Sequence, residues 1–286
     1  EVNPPITTDG PLTYRTTVNT DPTPQGQRRW LTFDGITYQA DVWLDGAYLG
    51  DTEGYFAPHS FDVTDLWRLS TDHVIAVEVH CPPTEEGARR AITGVLQDPT
   101  GPLTPNPGGI WRSVHLSDTG PVRINALRVL CQDATIERAH LRLNAQLDSG
   151  RSCAAEVQTL VDGRLVAENR ITVAAGQNEV AWRIDLPQPT LWWPRDLGEQ
   201  HLVNVEVVVF VDGEVSDSAD RRTGLREVAW DDWICSINGE RIFLKGANLM
   251  PVDVLLGRVD EEHTRRLLDD AVELGLDMLR VHGHIA

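Results

Sequence analysis

The sequence has little positive charge and almost no lysine. Its 286 residues contain 43 acidic and 25 basic side chains, and Lys245 is the single lysine among the basic ones. The formal net charge at pH 7 is −18. Because nucleic-acid binding depends on lysine and arginine side chains that neutralise phosphates, this balance predicts no nucleic-acid partner. It favours a neutral or cationic partner instead.

Cysteine is also scarce, and its four copies are scattered at Cys81, Cys131, Cys153 and Cys235. They form neither a C-x-x-C pair nor a short His/Cys cluster with zinc spacing. The spacing therefore predicts buried free thiols. A bridge between Cys131 and Cys153 remains an alternative, but four cysteines in a chain of this length do not make a disulfide scaffold.

Long apolar runs are missing as well. The longest, Val203 to Val211, is interrupted by Asn204 and Glu206 and is far shorter than a membrane span, so no membrane association is expected. The chain begins at Glu1 and has no apolar signal core. We expect a cytoplasmic protein, or a secreted one if a signal peptide has been removed.

What the sequence does have, as far as Arg222, is alternation of apolar and polar residues with a period of two. The clearest case places five apolar side chains on one face of a strand: Ala139, Leu141, Leu143, Ala145 and Leu147. Similar runs occur at residues 36–44, 75–79 and 180–186. Five dipeptides between such runs suit the positive φ of hairpin turns: Asp34-Gly35, Asp45-Gly46, Asp162-Gly163, Asp212-Gly213 and Asn238-Gly239. The chain is therefore predicted to be mostly β.

Two sandwiches fit this pattern better than one. A proline- and glycine-rich stretch at residues 98–109 predicts a long loop in the first unit, and Asp118 to Pro121 marks a boundary near residue 121. Residues 122–222 then hold about seven strands in about a hundred residues, which is typical of an immunoglobulin-like sandwich.

The pattern changes after Arg222. Ile242 to Lys245 is predicted to be a buried strand, and Met278 to Val281 a second one. Between them Asp260 is a predicted N-cap, Gly275 a predicted C-terminal cap, and one helical face is apolar: Leu267, Leu268, Ala271, Val272 and Leu274. Strand, helix and strand make one βαβ unit, which needs further strands to cover a parallel sheet.

Four stretches carry a resemblance to a known family: PGGIWRSVHL (107–116), LWWPRDLGEQHLVNVEV (191–207), NGERIFLKGANLMPVD (238–253) and LDMLRVHG (276–283). The sequence resembles the front part of glycoside hydrolase family two, the β-galactosidase, β-glucuronidase and β-mannosidase group, and most closely its β-mannosidase-like branch. The resemblance implies a jelly-roll sugar-binding domain (1–121), an immunoglobulin-like β-sandwich (122–222) and the first βαβ unit of a (β/α)₈ barrel (223–286).

The chain departs from the family pattern in three places. The Trp-Asp-Trp-Gly segment that typical β-mannosidases carry before G-I-W-R is absent, and Asp98 is the only acid in the equivalent stretch. The usual Asn-Trp and Trp-Gly-Gly are replaced by Asn248-Leu249 and by residues 282–284, His-Gly-His. The resemblance therefore does not determine which sugar is the substrate.

Side chains at the carboxyl ends of barrel strands form the site in this fold. Asn248 and Asp253 are expected just beyond the first strand, and Arg280, His282 and His284 at or just beyond the second. By resemblance, Asn248 and Asp253 would bind the sugar in the innermost subsite and Arg280 would support the catalytic carboxylates. Pairing with a barrel carboxylate for structural reasons is the alternative for Arg280.

His282 and His284 would line a subsite. Two histidines without a third ligand do not make a zinc site, so no metal and no cofactor is expected. Two aromatic segments are predicted to be structural. Trp111 and Arg112 would fix the first domain against the barrel, and Trp192 with Trp193 would pack at the edge of the second sandwich rather than stack on a sugar.

The reaction implied by the resemblance is retaining hydrolysis by two carboxylates, one the acid/base and one the nucleophile. In this family they come from the fourth and seventh barrel strands, so both are expected C-terminal to residue 286. Glu240 is no substitute, because it precedes the first barrel strand. We therefore expect no catalytic residue in these 286 residues and no activity from them alone.

Three functions follow, and the βαβ unit separates them. The first is the N-terminal portion of a β-mannosidase-like glycosidase with a carbohydrate substrate; whether it forms a homo-oligomer is open. The second is a carbohydrate-binding, lectin-like module without catalysis, and the third an adhesion protein made of sandwiches. Neither of the last two needs a βαβ unit after residue 240.

Overall fold

The computed structural model describes residues 11–80, 108–249, 257 and 259–281. The described chain is mostly β, as predicted. It divides into two compact units, one of residues 1–118 and 246–286 and the other of residues 119–245. The finer division at residues 121 and 222 stays a prediction.

The first sandwich contains nine strands and a single helical turn, α1 (Thr64–Trp67), within its described residues. The strands are β1 (Leu12–Asn19), β2 (Arg28–Phe33), β3 (Ile36–Thr37), β4 (Gln39–Leu44), β5 (Ala47–Glu53), β6 (His59–Asp62), β7 (Asp72–His80), β8 (Gly109–Ile110) and β9 (Val114–Thr119). They form sheets of order β1-β7-β4-β5 and β6-β2-β9, and a short pair β3-β8. Apolar side chains from both larger sheets share one core, which includes Leu31, Phe33, Val42, Leu44, Val77 and Val79.

A buried arginine joins distant parts of this sandwich. The Arg29 guanidinium in β2 donates to both carboxylate oxygens of Asp118 in β9, each at 2.7 Å. It also donates to the Thr20 hydroxyl and to the carbonyl oxygen of Asp21, in the connection after β1. Paired charged hydrogen bonds of this kind are strong, and removing Asp118 would leave the Arg29 charge buried without its partner.

The dipeptide Asp34-Gly35 is not a hairpin turn, contrary to the prediction. The strands on either side of it do not pair with each other, because β2 pairs with β6 and β9 whereas β3 pairs with β8. Gly35 instead allows a close approach. Its carbonyl oxygen accepts from the backbone N–H of Trp111, and a Cβ at Gly35 would lie 2.7 Å from Nε1 of that indole.

Trp111 and Arg112 hold a neighbouring loop within the first sandwich. The Trp111 indole N–H donates to the carbonyl oxygen of Tyr55 at 3.0 Å, and the Phe56 ring meets the indole edge-on. The Arg112 guanidinium stacks 4.4 Å from the indole centroid. These contacts are structural, as predicted; the predicted role against a barrel stays a prediction.

The second sandwich has seven strands from Val122 to Thr223, the number expected for an immunoglobulin-like fold. They are β10 (Val122–Ala134), β11 (Arg138–Ser149), β12 (Cys153–Val161), β13 (Arg164–Val173), β14 (Gly176–Pro187), β15 (Val203–Val211) and β16 (Glu214–Thr223). Their two sheets have the orders β10-β11-β14 and β13-β12-β15-β16. The alternation predicted over residues 139–147 lies in β11, whose apolar side chains are all buried.

Four of the five predicted turn dipeptides do connect hairpin strands. Asp45-Gly46 joins β4 to β5, Asp162-Gly163 joins β12 to β13, and Asp212-Gly213 joins β15 to β16. Each pair has positive φ at both residues, for example 48° and 77° at Asp162 and Gly163. This is the combination that a two-residue hairpin turn requires.

A serine hydroxyl connects the two sheets of the second sandwich. The pairing of β15 with β16 shifts register between Val209 and Phe210, so that Ser216 is the extra residue of a bulge. Its hydroxyl accepts from the N–H of Val122 at 2.8 Å and donates to the carbonyl oxygen of the same residue at 2.7 Å. Next to it, the Asp217 carboxylate accepts from the N–H of Ile124 at 2.7 Å, and burial raises its pKa.

Three short strands follow the second sandwich within the same compact unit: β17 (Val228–Asp231), β18 (Ile234–Ile237) and β19 (Glu240–Ile242). They form an antiparallel sheet, with Asn238-Gly239 as the turn between the last two. The predicted buried strand Ile242 to Lys245 is therefore wrong. Ile242 ends the antiparallel hairpin, and Phe243 is 84% exposed. Lys245 is exposed directly before the next strand.

The described cysteines carry free thiols, as predicted. Cys235 is buried, Cys131 and Cys153 are half-buried, and the alternative bridge between the last two is not formed. Burial raises the pKa of Cys131. Cys81 lies outside the described residues. In the described part of the chain, neither helix is long and apolar enough to cross a membrane.

We predict that Gly35→Ala destabilises the first sandwich by about 1–3 kcal/mol, because the added methyl group would overlap the Trp111 indole. Urea unfolding of both forms measures the difference. The matched background is Trp111→Leu, in which the same glycine substitution should cost much less. An equal cost in both backgrounds would contradict the steric explanation.

Ser216→Ala should destabilise the second sandwich by about 1–3 kcal/mol, because the N–H and carbonyl groups of Val122 would lose their partner in a buried position. Ser218→Ala is the matched control, since Ser218 lies exposed on the same strand. It should change the free energy of unfolding by less than about 0.5 kcal/mol. Equal effects of the two substitutions would show that the hydroxyl bonds do not hold the sheets together.

Candidate functional site

The last described elements form a βαβ unit. β20 (Gly246–Leu249) pairs in parallel with β21 (Met278–Val281), and α2 (Glu261–Glu273) connects them. Parallel pairing requires a crossover connection, which the helix supplies. The predicted order of strand, helix and strand is thus confirmed, with the first strand beginning at Gly246 instead of Ile242.

The helix begins and ends as predicted. The Asp260 carboxylate accepts from the N–H of His263 at 2.8 Å, and this bond lowers the pKa of Asp260. Gly275 has a φ of 65°, as a C-terminal cap requires. No residue of α2 is buried, and its predicted apolar face is accessible to solvent, with Leu268 45% exposed.

Asn248 and Arg280 lie side by side on the two parallel strands. They are register partners, and an Arg280 guanidinium N–H donates to the Asn248 side-chain oxygen at 3.3 Å. Asn248 therefore lies within β20, whereas the sequence analysis expected it just beyond the first strand. Both side chains are exposed. Together they offer amide and guanidinium N–H donors, which suit a carboxylate or sugar hydroxyl oxygen.

The other predicted site residues, Asp253, His282 and His284, lie outside the described residues. Their roles, and those of Asn248 and Arg280 in substrate binding, stay predictions. Glu240 lies in β19, two strands before Arg280 in chain order, and is exposed.

Trp192 and Trp193 pack at the edge of the second sandwich, as predicted. The Arg226 guanidinium lies 4.5 Å from the centroid of the Trp192 ring, and the Asn238 amide donates to the carbonyl oxygen of Trp192 at 2.9 Å. Trp193 packs against Gly198 and the core. Neither ring is arranged as an open stacking surface.

The sequence analysis missed a group of potential metal ligands in the first sandwich. Asp41 in β4 pairs in register with Glu78 in β7, and His80 is two residues further along β7. One ligand atom from each lies within 4.8 Å of the others. The signal was present in the sequence, since residues 78 and 80 share a strand face, but strand pairing was needed to bring in Asp41.

Comparison with known proteins adds to this geometry. A family model described as a glycosyl hydrolase 2 galactose-binding domain-like domain matches residues 5–110, and a model for glycosyl hydrolases family 2 matches residues 122–226. The chain belongs to glycosyl hydrolase family 2. The two matched domains of this family 2 chain coincide with its two sandwiches.

Relatives of the family 2 chain carry several substrate names. A mannosylglycoprotein endo-β-mannosidase from Lilium longiflorum is 28% identical over 91% of this chain and 31% of the relative. An exo-β-D-glucosaminidase from Amycolatopsis orientalis is 28% identical over 96% and 27%. The solved β-D-mannosidase of Dictyoglomus thermophilum has a TM-score of 0.77 and 26% identity, covering 96% of this chain and 37% of its own. The chain thus spans about a third of the length of these relatives.

We predict that Arg280→Ala changes the free energy of unfolding of the family 2 chain by less than about 0.5 kcal/mol, because the side chain is exposed and makes one long hydrogen bond. The contrasting variant is Arg29→Ala, which should cost about 1.5–3 kcal/mol, because the buried guanidinium makes charged hydrogen bonds to Asp118. Urea unfolding measures both. A cost at Arg280 as large as that at Arg29 would make Arg280 a structural residue.

Proposed function

We propose that this chain is the N-terminal portion of a retaining β-glycosidase that hydrolyses terminal β-linked sugars. The proposal is supported by the two family 2 domains in order and by relatives named for glycoside cleavage. Carbohydrate is the substrate class, and the β-mannosidase-like relatives favour a β-mannoside.

The observation that carries the proposal is the parallel pair β20-β21 with Asn248 beside Arg280. A lectin-like module does not require a parallel strand pair whose register partners both carry hydrogen-bond donors. In a (β/α)₈ barrel the same arrangement places polar groups near the carboxyl ends of neighbouring strands, where sites form in this fold. We therefore read the βαβ unit as the start of a catalytic barrel.

The proposed chemistry needs two carboxylates about 5–5.5 Å apart, one as nucleophile and one as acid/base. We place both beyond residue 286. Within the chain, Arg280 would hold a catalytic carboxylate in position and Asn248 would bind a sugar hydroxyl. Asp253, His282 and His284 would complete the innermost subsite.

A β-glucosaminide is the second candidate substrate. An exo-β-D-glucosaminidase is among the relatives, and its aligned part covers nearly the whole chain. The net charge of −18 would attract a protonated amino sugar more than a neutral one. The absence of the Trp-Asp-Trp-Gly segment leaves the β-mannoside without its usual recognition element.

The test compares the 286-residue chain with the product of the same gene extended through a complete barrel. Both are incubated with 4-nitrophenyl β-mannoside, β-glucosaminide, β-galactoside and β-glucuronide. We expect turnover from the extended protein only, because the 286-residue chain lacks the proposed carboxylates. Arg280→Ala in the extended protein should lower kcat sharply.

The proposal fails if the extended protein cleaves none of these glycosides but binds sugars, which favours the lectin-like module. It also fails if the 286-residue chain cleaves one of them and loses that activity on substitution of its own Asp or Glu. The preferred glycoside separates the two substrate candidates.

A further inference from the structure

The outward face of the sheet β1-β7-β4-β5 has an unusual composition. Along β4 and β7 the inward side chains are buried and apolar, including Val42, Leu44, Val77 and Val79. The side chains between them point to the opposite face, which remains partly or fully accessible to solvent. In contrast to the inward face, this outward face is charged and aromatic.

On three neighbouring strands of this sheet, every side chain with a formal charge is acidic. Strands β4, β5 and β7 contain no Lys or Arg, and five acidic residues: Asp41, Asp51, Glu53, Asp72 and Glu78. Asp41 pairs in register with Asp51 on one side and with Glu78 on the other. Three carboxylates thus cross three strands in a row, at a strand spacing of about 4.8 Å. Like charges directly opposite each other are unfavourable unless a cation lies between them.

Among the described strands of this sheet, the one Lys or Arg is Arg15 in the edge strand β1. Arg15 pairs in register with Ala76, so it lies one row away from the carboxylate row and one strand beyond β7. Asp41 and Asp51 lie further across the sheet, on β4 and β5. In the sheet, Arg15 is therefore two strands away from Asp41 and three strands away from Asp51.

An aromatic pair occupies the next row of the same face. Trp43 and Tyr48 are register partners on β4 and β5, with ring centroids 5.7 Å apart. Tyr48 is 55% exposed, and its hydroxyl donates to the Asp41 carboxylate at 2.8 Å. This hydrogen bond raises the pKa of Tyr48 and links the aromatic pair to the carboxylate row.

We infer that this face is a docking surface for an oligosaccharide of protonated amino sugars, such as a β-linked glucosamine oligomer. The ring planes of Trp43 and Tyr48 lie at 56° to each other, so the apolar face of one pyranose ring would stack on Tyr48 and that of a neighbouring pyranose on Trp43. The ammonium groups of the oligosaccharide would pair with the carboxylates of Asp41, Asp51 and Glu78 and could also approach the aromatic faces. The inference rests on the proposed function only in taking a saccharide as the partner.

Charge complementarity and the aromatic pair together select this occupant. A neutral sugar would use the aromatic rings but leave the carboxylate row unbalanced. A metal ion bound by Asp41, Glu78 and His80 would relieve the charge but make no use of the aromatic rings, and His80 Nε2 is already 3.1 Å from a Glu78 oxygen. An amino sugar uses both features.

The experiment titrates the 286-residue chain with a glucosamine hexamer and, separately, with its fully N-acetylated counterpart, by calorimetry at low salt. Acetylation removes the positive charges and keeps the ring. We expect the charged hexamer to bind about tenfold more tightly, and its affinity to fall as salt is added. Equal affinity for the two hexamers would overturn the inference.

Variants locate the binding. Asp51→Asn combined with Glu78→Gln should weaken binding of the charged hexamer about fivefold to tenfold, while keeping the hydrogen bond between Tyr48 and Asp41. The control removes two exposed charges from the second sandwich, Asp196→Asn with Asp220→Asn, and should leave affinity unchanged. Thermal unfolding of each variant confirms that it is folded.

Two further outcomes would contradict the inference. If the double variant binds as tightly as the original chain, the hexamer occupies another surface. If binding requires added ZnCl₂ and stops with EDTA, the face is a metal site. Neither outcome depends on glycoside hydrolysis by the extended protein, so a failure here is distinct from a failure of the proposed function.

Discussion

The two sheets of the second sandwich are connected by side chains of β16 that bond backbone groups of β10. The bulge at Ser216 lets its side chain point toward β10, where the hydroxyl bonds both the N–H and the carbonyl oxygen of Val122. Because β10 and β16 belong to different sheets, this contact and the bond from the Ile124 N–H to the Asp217 carboxylate help to fix the position of one sheet against the other. The shared apolar core can only be close-packed if that position is fixed.

The first sandwich meets a similar requirement by different means. The Arg29 guanidinium satisfies a carbonyl oxygen and a hydroxyl of the connection after β1, and its charge is balanced by Asp118 in β9. Gly35 lets the Trp111 indole approach the backbone, where its N–H reaches the carbonyl oxygen of Tyr55. Both sandwiches therefore use a few buried polar contacts to position strands, while the apolar alternation supplies the core.

The sequence was sufficient to predict those structural features that depend on a local pattern of residues. Alternation along residues 139–147 identified β11, and Asp-Gly or Asn-Gly pairs identified four hairpin turns because positive φ is a local property. It was insufficient to predict features that depend on pairing between strands distant in the chain. Asp34-Gly35 has the same composition as the true turns, but its flanking strands pair elsewhere. The apolar run at Ile242 suggested the first parallel strand. In the structure Ile242 pairs with β18 in an antiparallel hairpin, and Gly246–Leu249 forms the strand that pairs with β21.

The candidate site was predictable in part for the same reason. Asn248 and Arg280 could be placed on neighbouring strands from their position in the βαβ pattern, and the structure pairs them. The acidic and aromatic face could not be predicted, because it is assembled from three strands whose order, β7-β4-β5, is not sequential in the chain. Asp41 is close to Glu78 only after that order is known.

The position of Lys245 has a practical consequence. It is the single lysine in these 286 residues, it is exposed, and the division between the two compact units falls directly after it. Apart from the terminal amino group, amine-selective reagents at a pH that favours lysine would therefore modify one side chain in this chain, between β19 and β20. A fluorophore attached there would report on the junction by its anisotropy, without the cysteine substitutions that site-specific labelling usually needs.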